Sequence, residues 1–171
     1  MAIYCLNILI VIGSVMVCTM LMLLNIPGLE LFGITPNWLL IWVVTWSAKR
    51  SVWEAALAGI ALGWIHDAII ISVPSHVFSF VVVGVITASL NKQKYLEEDF
   101  ISVALIVFFM TLIGEIIVAF QYLRQHFSDF SLILLDYKRI VLTSALITSL
   151  WSPLIYFPLN RWWQQTKIHN L

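Results

Sequence analysis

The chain has 171 residues, nine Lys+Arg against nine Asp+Glu, and a formal net charge of zero. Charged residues make up 11%, where a soluble domain carries about 25%, while the hydrophobic set reaches 61% and mean hydropathy is +0.98. That leaves too little polar surface for a soluble globule, no basic excess to neutralise the phosphates of a nucleic acid, and too much hydrophobicity for disorder; the composition is that of an all-α integral membrane protein, expected to be one polytopic domain over residues 1–171.

In chain order, Ala2 to Leu24 carries no charge and matches the roughly 20 apolar residues a bilayer requires, so the first span is placed at 2–24. It lacks the basic start and small-residue cleavage site of a signal peptide and is read as retained. Cys5 and Cys18 lie in this run with no polar context for a metal or nucleophile and read as small lipid-facing or packing residues. Asn25-Ile26-Pro27-Gly28 closes it with turn formers. The second span is placed at 35–48, from Pro36 to the Lys49-Arg50 pair. At about 1.5 Å per residue it reaches only about 20 Å of a roughly 30 Å core, so it must tilt, thin the bilayer, extend back through Leu31–Ile34, or re-enter. Trp38, Trp42 and Trp46 form an i, i+4 stripe on it, read as lipid or helix packing. A third span is placed at 53–71, a turn at Ser72-Val73-Pro74-Ser75, and a fourth span at 77–90. Lys92, Lys94, Glu97, Glu98 and Asp99 mark a polar loop. The fifth span is placed at 100–122 and the sixth at 140–157, its last turns bent by Pro153. In the loop between them Phe127, Phe130, Leu134 and Tyr137 recur at helical spacing. That suits an amphipathic helix on the membrane or on a partner, the alternative being a continuation of the flanking helices.

Orientation follows from Lys and Arg. One side carries Lys49, Arg50, Lys92, Lys94, Arg161 and Lys167, and the other Arg124, Lys138 and Arg139. The bias places both termini in the cytoplasm.

The residues able to carry chemistry are few. Ala55, Gly59, Gly63 and Asp67 recur every four residues, a small-residue face against which another helix can come close. An aspartate inside a membrane costs roughly 2.5–3.5 kcal/mol on insertion scales, so Asp67 needs a partner or water. It is expected to lock a helix pair or meet a partner, the competing role being solute binding or proton relay. Glu115 is the second intramembrane acid, at similar depth; the two either share a site, where one would hold its proton, or are satisfied separately. His66, about 100° from Asp67 on the helix, reads as a packing or lumen-facing residue. The zinc-protease pattern fails because Asp67 follows His66 and Ile70 stands where the second His belongs. The alcohol phosphatidyltransferase pattern fits Gly63 and Asp67 but breaks at Ile71. No glycine-rich phosphate loop and no Cys-x-x-Cys occurs. No catalytic, cofactor-binding or metal-binding residue is expected; the contact candidates are Gly59, Gly63, Asp67, Glu115, Pro36, Trp38 and Arg50.

The order of these landmarks resembles the rod shape-determining MreD family of the bacterial inner membrane. That family has a Pro-Asp-Leu-Leu-Leu-like start to a short second span, a basic turn, and a glycine-spaced third span ending in Asp. The matching features are Pro36-Asn37-Trp38-Leu39-Leu40, Lys49-Arg50, and Gly59, Gly63 and Asp67. The likeness runs on through Gln93–Ser102, Gly114-Glu115, Ser149-Leu150-Trp151-Ser152-Pro153 and Pro158-Leu159-Asn160-Arg161-Trp162-Trp163. Asn37 stands where many members have Asp, and Ser75 near where a Gly often precedes His76. The resemblance implies a six-helix bundle similar to the substrate-binding subunits of energy-coupling-factor transporters. It also implies a non-enzymatic subunit of the cell-elongation complex, in contact with membrane lipids and MreC. MreB, RodA and a class B penicillin-binding protein would belong to the same assembly, with no nucleic acid. The alternative is a solute-binding subunit of an energy-coupling-factor-type transporter. Such subunits carry an Ala-x-x-x-Ala docking motif on their first helix, where this chain has Ala2 and no other alanine.

Overall fold

The computed structural model describes residues 2–24, 28–71, 74–90, 100–125 and 130–168, with side chains described at 6–24, 28–71, 74–90, 100–124 and 137–162. Within them the chain forms six helices: α1 (Ala2–Leu23), α2 (Trp38–Ser47), α3 (Val52–Ile70), α4 (Val77–Ser89), α5 (Phe100–Gln125) and α6 (Phe130–Ile168). The protein is all-α, and α1, α3, α5 and α6 are long and apolar enough to cross a membrane. The other two are short, α2 with 10 residues and α4 with 13.

The short α2 is possible because protein, not lipid, surrounds it. Every residue from Trp38 to Thr45 is buried, and α2 packs against each of the other five helices. Its ends find hydrogen-bond partners on other parts of the bundle. Asn37 caps the N-terminus by accepting the Leu40 N–H at 3.0 Å, and its own N–H donates to Thr148 Oγ1 on α6 at 3.1 Å. At the other end Ala48 and Lys49 donate back to Val44 and Trp46, and the Lys49 ammonium donates to Asn160 of α6. The chain before α2 does not extend the helix. Leu31 and Ile34 exchange two backbone hydrogen bonds of 3.0 Å around a turn at Phe32 (φ 54°) and Gly33 (φ 77°). Positive φ at both central positions defines a type I′ turn, which glycine adopts freely and phenylalanine rarely does. The Arg139 guanidinium of α6 lies 4.9 Å from the centre of the Phe32 ring.

Two helix pairs flank this pillar, α3 with α4 and α5 with α6. The first is backbone-close. A Cβ built on Gly59 would fall 2.8 Å from the Phe80 carbonyl oxygen, and one on Gly63 would fall 2.5 Å from Val77 Cα. From the opposite helix, a Cβ on Gly84 would fall 2.9 Å from the Ala55 carbonyl oxygen. The small residues of α3 therefore face α4, with Ala55 and Phe80 fully buried at the contact. Ser79 ties α4 to α5 by donating to the Gly114 carbonyl at 2.9 Å.

Helix α6 is longer than the 140–157 expected and runs through Pro153 and Pro158 without interruption. Pro153 has no N–H for the Ser149 carbonyl, four residues earlier. The buried Ser152 hydroxyl donates to that carbonyl at 2.7 Å instead, so the freed acceptor is satisfied within the continuous helix. The same length absorbs most of the expected amphipathic loop. Phe130, Leu134 and Tyr137 belong to the first turns of α6, and the Tyr137 ring sits 5.4 Å from Tyr122 of α5; Phe127 lies outside the described residues. Helix α1 is the peripheral element. Much of its apolar surface is exposed, Leu9 at 68%, as suits a helix against lipid. Trp42 anchors it through an indole N–H donated to Ser14 Oγ at 2.8 Å, and Cys18 is buried among apolar side chains, as its sequence context suggests.

Candidate functional site

The densest group of polar side chains sits where α3 turns into α4. Helix α3 starts with a capping box, Ser51 accepting from the Glu54 N–H and Glu54 bonding back to Ser51, so its register is set from the first turn. It ends at Ile71, whose N–H still donates to the Asp67 carbonyl at 2.9 Å and whose left-handed backbone (φ 51°) turns the chain out of the helix. The Asp67 side chain then reaches across the turn. Its carboxylate accepts the Ser75 hydroxyl at 2.6 Å, the His76 backbone N–H at 2.9 Å, and lies 3.0 Å from His76 Nδ1. His76 is the N-cap position of α4 and provides no side-chain cap of its own. Asp67 supplies that cap from the preceding helix, and its negative charge is favourable at the positive end of α4.

His66 completes the group. It is 3% exposed, its ring centre is 4.2 Å from that of His76 and 5.3 Å from that of Phe80, and its Nδ1 lies 3.8 Å from Asp67 Oδ1. That buried nitrogen has no hydrogen-bond partner. His66, Asp67 and His76 each present one donor atom within 4.8 Å of the others. The trio of Ser75, His76 and Asp67 is not disposed as a nucleophile, a base and its orienter. A serine nucleophile donates to an imidazole nitrogen, whereas Ser75 donates to the carboxylate.

The other residues singled out in the sequence make their hydrogen bonds and ring contacts outside this cluster. Glu115 accepts the Ser144 hydroxyl at 2.7 Å, across the α5–α6 contact; the two intramembrane acids thus have separate partners. Pro36 is buried and its carbonyl accepts the Trp38 N–H at 3.1 Å. Trp38 is 1% exposed, with its ring 6.0 Å from Trp151 of α6, so the first tryptophan of the stripe packs in the core. Trp42 and Trp46 stack at 5.1 Å. Arg50 lies 4.3 Å over the Trp46 ring, with one guanidinium nitrogen 4.0 Å from Glu54. Gly59 and Gly63 bring α4 close enough for Asp67 to reach His76.

A cavity of about 570 Å3 opens between α1, α2 and α3, lined by Val11, Val15, Thr19, Trp42 and Leu62 among others. Its wall is apolar. Thr19 donates its hydroxyl to the Val15 carbonyl and Trp42 its indole to Ser14, both at 2.8 Å.

His76 and Ser75 are the site residues that sequence reasoning passed over. The signal was present as a His-Asp pair ending an apolar helix and a Ser-His pair opening the next, a short turn apart. Comparison with known proteins adds no assignment: no family model matches the chain, and no curated protein and no solved structure matches it.

Proposed function

We propose that this protein is a non-enzymatic membrane subunit of the bacterial cell-elongation complex, acting by contact with MreC and the peptidoglycan synthesis machinery in the inner membrane. The observation that carries this reading is the use made of the two intramembrane acids. Asp67 joins α3 to α4 and Glu115 joins α5 to α6, each across a helix contact. Polar groups satisfied across helix contacts in this way favour one packing of the helices, which is what a contact protein needs. The order of landmarks from Pro36 to Trp163 supports the same reading. Exposed apolar faces on α1, α3 and α5 offer lipid or partner helices a surface, and the Lys49-Arg50 turn offers anionic lipid or a cytoplasmic partner about 1 kcal/mol per basic residue near the surface.

The cavity between α1, α2 and α3 is where the solute-binding alternative would place its ligand. A polar vitamin needs hydrogen-bond partners in its pocket. Here the Thr19 hydroxyl and the Trp42 indole already donate elsewhere, so the cavity suits a hydrocarbon chain and weighs against such a solute.

The test combines depletion with two substitutions at Asp67. Loss of the protein should make elongated cells round or wide while the polymerising enzymes keep their intrinsic activity, and the protein should co-purify with MreC in mild detergent. Asp67→Asn keeps an oxygen for the His76 N–H and should give a mild defect, whereas Asp67→Leu leaves that N–H and the Ser75 hydroxyl uncapped and should be worse. An Asn variant as inactive as the deletion, with normal abundance and normal MreC co-purification, would show that ionisation itself is required. Proton or solute handling would then replace the contact role.

A further inference from the structure

We infer that His66, Asp67 and His76 form a binding site for a single divalent transition-metal ion of the zinc type at the α3–α4 turn. Three observations converge there. The donor set is two imidazoles and one carboxylate, within 4.8 Å of one another. Zinc sites that keep one coordination position open use three such protein ligands, whereas calcium and magnesium take oxygen donors throughout. His66 Nδ1 is buried and has no hydrogen-bond partner, in a residue 3% exposed whose ring lies against His76. A polar atom in that position calls for an occupant, and an ion between the imidazoles supplies one. Asp67 is already oriented: Ser75 holds Oδ2 at 2.6 Å, leaving Oδ1 toward both histidines, 3.0 Å from His76 Nδ1 and 3.8 Å from His66 Nδ1. A hydrogen bond that fixes a ligating carboxylate from behind is a regular feature of metal sites.

The geometry needs only local adjustment. Ligand atoms about 2.0–2.1 Å from a tetrahedral zinc are about 3.3 Å from each other, so the widest separation closes by about 1.5 Å. The His76 Nδ1 contact with Asp67 gives way to shared coordination. The Asp67 and His76 side chains are 20% and 16% exposed, which gives the ion a path in and leaves room for a water as its fourth ligand. An ion held by two consecutive residues of α3 and by the N-cap of α4 clamps the hairpin beside its connecting turn, one helical turn beyond the Gly63–Val77 contact.

The experiment uses the full-length, tag-free protein in detergent micelles, stripped with a chelator, freed of it, and titrated with Co2+ and then Zn2+. The expected result is saturable uptake of one Co2+ per chain, with the visible absorption of a low-coordinate Co2+ centre, bleached as Zn2+ displaces it, and a higher melting temperature with zinc bound. His66→Gln and His76→Gln should each weaken binding at least tenfold, and Ser75→Ala, which keeps all three ligands, should retain the stoichiometry. The chain has four histidines. His126→Gln/His169→Gln changes no residue of the α3–α4 segment and should bind as the wild type does, a control that assigns the ion even if the hairpin variants are unstable. Failure of the monodisperse wild-type protein to take up either metal saturably would overturn the site. So would undiminished binding by His66→Gln/His76→Gln, or loss of binding in His126→Gln/His169→Gln.

Discussion

Gly63→Ala tests how the α3–α4 hairpin is held together. The added Cβ would fall 2.5 Å from Val77 Cα and 3.1 Å from Val77 N, backbone atoms with no rotamer to change. Ordinary contact requires the two helices to part by close to 1 Å, and overpacking of this kind costs about 1–3 kcal/mol. The displacement falls on the residue next to His76, whose N–H is 2.9 Å from the Asp67 carboxylate. Parting the helices by that amount carries the pair beyond hydrogen-bond range, and hydrogen bonds to charged groups contribute about 1.5–3 kcal/mol. Alanine recovers about 1 kcal/mol of helix propensity over glycine, leaving a net destabilisation of roughly 1.5–5 kcal/mol. Gly13→Ala in α1 is the matched control, because a Cβ there meets nothing within 4 Å and the propensity gain stands alone. Thermal unfolding in detergent, followed by the loss of the monodisperse peak on size exclusion, should give a melting point several degrees below wild type for Gly63→Ala and unchanged or raised for Gly13→Ala. Equal melting points for the two variants would refute the close contact and the coupling to Asp67.

Ser152→Ala removes the hydroxyl that serves the Ser149 carbonyl freed by Pro153, and should cost about 1–3 kcal/mol as a buried acceptor loses its donor; adding Pro153→Ala returns a backbone N–H and should recover part of that loss, so two simply additive losses would disprove the pairing. Reporter fusions after Leu90 and after Asn170 should read as cytoplasmic and one within residues 128–136 as external; an external signal at Asn170 would remove one span and reverse the predicted position of the C-terminus.

Composition and the apolar runs were enough to read an all-α membrane protein of six helices, because in a bilayer every backbone polar group must be paired within its own segment and the hydrophobic runs therefore are the helices, although α6 extends from Phe130 to Ile168, beyond the expected 140–157 at both ends. The small-residue face of α3 was equally legible, since Ala55, Gly59 and Gly63 stand on one side of a helix whatever it packs against. The partner of that face was not legible, nor the place of α2: a 10-residue helix reads as an imperfect span until the other five helices are seen to enclose it. Nor do the prolines and serines of α6 announce that the Ser152 hydroxyl takes the carbonyl freed by Pro153, since the rule for proline predicts a bend and the rotamer of a neighbouring hydroxyl is set only in the folded helix. The polar cluster depended most on tertiary structure. His66 and Asp67 point in different directions from one helix, and His76 lies beyond a turn. They meet because Gly63 lets α4 approach to backbone contact, so the start of α4 falls within reach of a carboxylate on α3. Spacing along the chain sets which side chains share a helix face; the distance between two faces is set by what packs between them.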